Sequence, residues 1–154
     1  MERRTTMSKY MYLITILFLV VTGFSQMPIS KRYYIADVPG LAWTAEFFVT
    51  HYMHYLFSII LIALAAYFLV YYLLVLRKKT SLTVFGYVRS GLIGGLIATG
   101  VLMVIVNLPG TPFPATFIII LDLAHLSLCM TFLGVSLYAL LAKRRWLRSP
   151  GHGK

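Results

Sequence analysis

Charge is scarce in this sequence of 154 residues, and acid is scarcest. Asp and Glu together number 4 against 14 Lys and Arg, and charged residues make up only 12% of the chain, while 60% is apolar. No soluble domain of this size can hide that much apolar surface. Cysteine is nearly absent too: Cys129 stands alone in an apolar segment. That excludes an internal disulfide and a thiolate metal cluster, and leaves the residue a packing role. There is no phosphate-binding loop and no nucleophile elbow. The polar stretches are tails and loops too short to hold a catalytic domain.

What remains is four apolar runs, about 10–26, 44–76, 84–108 and 115–142, each near or above the roughly 20 residues that cross hydrocarbon. They predict an all-α integral membrane protein, a four-transmembrane-helix bundle in a single membrane domain. Segment one also has the basic start, apolar middle and small-x-small Gly23-Phe24-Ser25 of a signal peptide. It is read here as a retained helix. The formal charge of +10 would suggest nucleic acid in a soluble chain. Here it reports orientation. Arg3, Arg4, Lys9, Arg77, Lys78, Lys79, Arg89, Lys143, Arg144, Arg145, Arg148 and Lys154 would lie on one side, and only Lys31 and Arg32 on the other. The positive-inside rule then puts both termini in the cytoplasm; the membrane expected is a bacterial or archaeal inner membrane. Glu46, at the outer mouth, is read as solvated.

The residues that can carry chemistry lie in segments two and four. Thr50-His51-Tyr52-Met53-His54-Tyr55 opens the second span, and His125 lies in the fourth. At 1.5 Å per residue, His54 is roughly 15 Å from Thr44 and His125 roughly 15 Å from Ala115. Two imidazoles at matching depth suit the axial positions of one haem b, whose two ligands lie on a line through the iron. An interhelical hydrogen bond is the competing role for each. His51 precedes His54 by three residues, about 60° around the helix, and remains an alternative ligand. Asp122 stands in the same relation to His125. The pair His51/Asp122 forms an outer layer, suited either to quinone and proton exchange or to orienting the ligands. Gly91, Gly94, Gly95 and Gly100 line segment three. Gly95 and Gly100 are candidates for close approach to a flat macrocycle, Gly100 the better placed. Lys31 and Arg32 could meet haem propionates or simply anchor at the interface. Thr22-Gly23 before His54, and Thr99-Gly100 before His125, suggest a parallel internal repeat of two hairpins.

Thr-Gly ending segment one, a histidine early in segment two, Thr-Gly in segment three and a histidine in segment four form a pattern. It resembles the four-helix b-type cytochrome subunits of membrane-bound formate dehydrogenases, nickel-iron hydrogenases and thiosulfate reductases. The resemblance implies a haem held by His54, or His51, and His125. It implies a non-catalytic electron-transfer subunit linking an outer-face iron–sulfur or cytochrome partner to membrane quinone. Such subunits hold a second haem through a histidine near the start of segment one and a deeper one in segment four. Here those places are Lys9-Tyr10-Met11 and Tyr138-Ala139-Leu140, so the expectation is a one-haem variant. A haem-free quinone-binding anchor is the alternative. A small transporter with His51 and Asp122 on a polar path is a third, weakened by so few intramembrane charges.

Overall fold

A computed structural model describes residues 2–27, 32–110 and 112–148. It contains four helices long and apolar enough to cross a membrane, in an all-α architecture. They are α1 (Glu2–Ser25), α2 (Phe47–Tyr71), α3 (Val84–Val106) and α4 (Ala115–Leu141). The chain divides into two units, one ending at Tyr71 and the other starting at Tyr72. Each is an antiparallel helical hairpin.

In the first hairpin, Phe18 stacks on Phe57, Thr22 meets His54, and Gln26 meets His51. Partners descend on α2 as they ascend on α1, which fixes the antiparallel sense. Thr50, His54, Phe57 and Leu61 recur at helical spacing, so they share one face of α2. Threonines are frequent on these faces, and each satisfies its hydroxyl on its own helix. Thr15 donates to Met11 O at 2.7 Å, Thr22 to Phe18 O at 2.6 Å, and Thr99 to Gly95 O at 2.8 Å. A polar side chain in an apolar span needs such a partner, because lipid offers none. Many other large apolar side chains are exposed, Ile59, Leu69, Ile119 and Leu137 among them. That is the surface a helix presents to lipid rather than to water.

The spans begin and end for local reasons. Segment one is helical from Glu2, eight residues before the expected start at Tyr10, since its polar start also favours helix; the apolar part is Met7–Ser25. Segment two begins at Phe47 rather than Thr44. A separate 3₁₀ turn, Ala42–Ala45, ends there, with Thr44 donating to Leu41 O at 2.7 Å. Beyond Tyr71 the helix widens into a π turn, Tyr72–Leu76, closed by Arg77 N to Tyr72 O at 2.8 Å. The α3 helix stops at Val106, where the Asn107 amide donates to Met103 O at 2.8 Å. Pro109 and left-handed Gly110 (φ +85°) then turn the chain. Glu46 is exposed.

The second hairpin is closed at its other end by a feature absent from the sequence reading. Strand β1 (Ser81–Leu82) pairs antiparallel with β2 (Leu147–Arg148). Thr83 caps α3 by accepting from Gly86 N at 3.0 Å, and its hydroxyl donates to Arg145 O at 2.7 Å. One side chain thus closes a helix N-terminus and ties it to the chain after α4. Thr83→Ala removes both bonds and is expected to cost about 1 kcal/mol of stability. Unfolding of the purified protein in mixed detergent measures it; an unchanged midpoint would contradict the role.

Candidate functional site

Each hairpin positions one histidine in the same way. His54 Nδ1 lies 3.0 Å from Thr22 Oγ1, and His125 Nδ1 lies 2.7 Å from Thr99 Oγ1. The direction of both bonds follows from the hydroxyls. A threonine has one O–H hydrogen, and each of these is directed to a backbone carbonyl, Phe18 O or Gly95 O. Toward the ring, each oxygen can only accept. Nδ1 therefore carries the hydrogen, and the neutral imidazole has its lone pair on Nε2. This is the form in which a histidine binds iron through Nε2 while its other nitrogen is held by a polar partner.

A glycine lies beside each ring, and at Gly23 the approach is tight. A Cβ at Gly23 would stand 3.2 Å from His54 Cε1, and one at Gly100 would stand 3.7 Å from His125 Cε1. The threonine bonds Nδ1 in both hairpins; the glycine is needed for close approach only at Gly23, since 3.7 Å at Gly100 is an ordinary van der Waals contact. One turn inward the two hairpins fill the corresponding place differently. Phe18 and Phe57 stack with centroids 4.3 Å apart in the first, while Gly95 receives Leu128 in the second, Cδ1 lying 3.2 Å from a built Cβ. The repeat suggested by Thr-Gly thus extends from sequence into geometry. The intervals differ, 32 residues from Thr22 to His54 and 26 from Thr99 to His125, because the connections differ in length.

The outer layer is less symmetrical. His51 Nδ1 donates to Gln26 Oε1 at 3.0 Å, and the Gln26 amide donates to Thr22 O at 3.4 Å. The His51 ring stacks on Phe47 (5.2 Å) and lies tilted against Tyr55 (4.4 Å). Asp122, its counterpart on α4, is exposed. Helix starts are a poor measure of depth here. With α2 beginning at Phe47, His54 is only about 10 Å from its start, against about 15 Å for His125. What the two share is their register on the threonine of their own hairpin.

Other singled-out residues are placed as follows. Gly91 and Gly94 have nothing within 4 Å of a built Cβ, and Cys129 is half-buried and unbridged. Arg32 is exposed, and Lys31 falls outside the described residues. Where the resemblance would place a deeper histidine in α4, Tyr138 stacks on Phe85 (5.6 Å) and Ala139 is buried. The sequence reading missed Thr22 and Thr99 as histidine partners, and missed Gln26. The repeated Thr-Gly was the signal for the first two; nothing local marked Gln26.

The class these features define is an all-α membrane protein of helical hairpins, each holding one histidine on a threonine hydroxyl. No protein-family model matches the chain, and no curated protein or solved structure is significantly similar to it.

Proposed function

We propose that the chain is the haem b-binding membrane subunit of a respiratory redox complex, in which His54 and His125 would hold the iron of one haem. It would pass electrons between an outer-face iron–sulfur or cytochrome subunit and membrane quinone. The observation that carries this reading is the duplicated Thr-Gly–His unit, which fixes the Nδ1–H tautomer in both hairpins. When bound, haem supplies one-electron transfer between ferric and ferrous iron. The chain's own residues do the rest. Thr22 and Thr99 accept from Nδ1–H, orient each ring and raise the donor strength of Nε2. Gly23 leaves room for the edge of the His54 ring, and the surrounding apolar side chains exclude water. His51, backed by Gln26 and beside Tyr55, is the group proposed to exchange protons with quinone. His51 as ligand in place of His54 is disfavoured, since its Nδ1 partner is a glutamine with no counterpart in the second hairpin.

By the positive-inside rule the basic ends of the second hairpin, Arg77–Lys79 and Lys143–Arg145, would lie on the cytoplasmic side, and the membrane proposed is a bacterial or archaeal inner membrane. Both termini would then lie on that side. A pyridine haemochrome assay on the purified chain, followed by quinol addition in liposomes, tests the function. Haem reduced by quinol supports it. A haem-free protein that still binds quinone would replace it with the anchor reading.

Thr99→Val keeps the shape and removes the acceptor at His125 Nδ1. The expected result is haem affinity lowered about tenfold, with a shifted midpoint potential. Thr99→Ser, which keeps the hydroxyl, is expected to restore both. Haem titration and redox titration of the two variants check this, and equal behaviour of Val and Ser would contradict it.

A further inference from the structure

The closed end of the second hairpin carries positive charge with no acid beside it among the described residues of that unit. From residue 72 onward the sequence holds a single acid, Asp122. Phe85, near the start of α3, stacks on Tyr138, so Asp122 lies about 24 Å away along α4. At this end Arg89 sits one turn beyond Phe85, about 7 Å into the span that begins at Val84. Its guanidinium lies 4.3 Å from the Trp146 ring centre, and Arg144 lies 5.7 Å from that of Phe85. A ring face takes the flat side of a guanidinium and leaves its N–H edges unmatched. Among the described residues nothing accepts from Arg89 Nε, although that atom is buried. An arginine at this depth in a membrane calls for an anion.

The surroundings indicate which anion. Val84 and Tyr87 on α3, and Leu140 and Leu141 at the end of α4, are strongly exposed. They give an apolar border to a basic corner at the end of two spans. A lipid fits both parts, its phosphate on the guanidinium edges and its acyl chains along the border. A zwitterionic headgroup would bring its own cation into a corner that already has too many.

We propose that Arg89 and Arg144, seated on Trp146 and Phe85, form a binding site for the phosphate of an anionic phospholipid headgroup. The site lies at the far end of the hairpin from His125 and stands independently of the haem reading.

Trp146 reports on it directly. In full-length protein carrying Trp43→Phe, reconstituted in bilayers, brominated phosphatidylglycerol should quench Trp146 at least threefold more than brominated phosphatidylcholine at equal mole fraction. Arg89→Gln and Arg144→Gln should each reduce that preference toward parity, and Lys78→Gln, on the preceding loop, should leave it. Arg144 is exposed, so its variant keeps the test decisive if Arg89→Gln fails to fold. Equal quenching by both lipids in the parent would overturn the proposal. So would a preference that survives both arginine changes, or one that Lys78→Gln lowers as much, which would mean diffuse charge. Loss of the preference on adding inorganic phosphate, but not chloride at equal ionic strength, would assign the site to free phosphate and overturn the lipid.

Discussion

His125→Ala is expected to leave the purified protein with essentially no b-type haem, its Soret and α bands gone while its helix content is unchanged. The side chain is proposed as an iron ligand, and alanine offers no donor in its place. His54→Ala is expected to do the same, since the first hairpin holds His54 by the same threonine contact. His51→Ala should keep haem and lose electron exchange with quinone. The separation is the informative part. Residues 51 and 54 lie within one turn, and a purely structural role would make the two substitutions similar. Absorption spectra of the three variants at equal protein decide it. A full spectrum in His125→Ala would remove that residue from the site, and haem lost only in His51→Ala would exchange the roles.

Gly86→Ala is expected to have the largest effect away from the histidines. A Cβ there would collide with the backbone carbonyl of Trp146, and Leu82 Cδ2 lies 3.1 Å from the same point. A side chain can turn aside; a carbonyl held in a paired strand end moves only if the pairing opens. The β1–β2 closure and the Thr83 bonds to Arg145 and Gly86 should weaken together. The expected loss is about 2 kcal/mol, in the range of overpacked sites. Gly91→Ala is the contrast. Nothing lies within 4 Å of its Cβ position, so it should be neutral or gain roughly 0.5–1 kcal/mol from helix propensity. Unfolding midpoints of the pair, in the same detergent mixture, check the difference. Equal midpoints would contradict the clamp.

Much of the architecture was legible because lipid imposes a simple rule. A run of apolar residues near membrane length must be helical, so four runs gave four helices, with ends displaced by eight residues or fewer. The displacements have local causes. The polar residues before Tyr10 continue the helix outside the apolar run, and Thr44 spends its hydroxyl on Leu41 O, which closes a 3₁₀ turn before α2 starts. The pairing of Ser81–Leu82 with Leu147–Arg148 could not be read. It joins two-residue segments far apart in sequence that carry no alternating pattern, and it forms only because α3 and α4 bring them together.

At the site, the histidines and the Thr-Gly pairs stood out in the sequence, but not the link between them. Spacing places a threonine near a ring. It does not say that the hydroxyl hydrogen is already committed to Phe18 O or Gly95 O, and that commitment fixes the tautomer. Gln26 was invisible for a related reason. A glutamine at the end of an apolar span looks like an interfacial residue until His51 is found 3.0 Å from its oxygen.

The most direct measurement is low-temperature electron paramagnetic resonance of the oxidised, purified chain, with haem quantified against protein. One haem per chain with a low-spin bis-histidine signal, lost in both His54→Ala and His125→Ala, is the predicted result. Protein that folds and carries no haem, or haem whose signal survives either substitution, would contradict it.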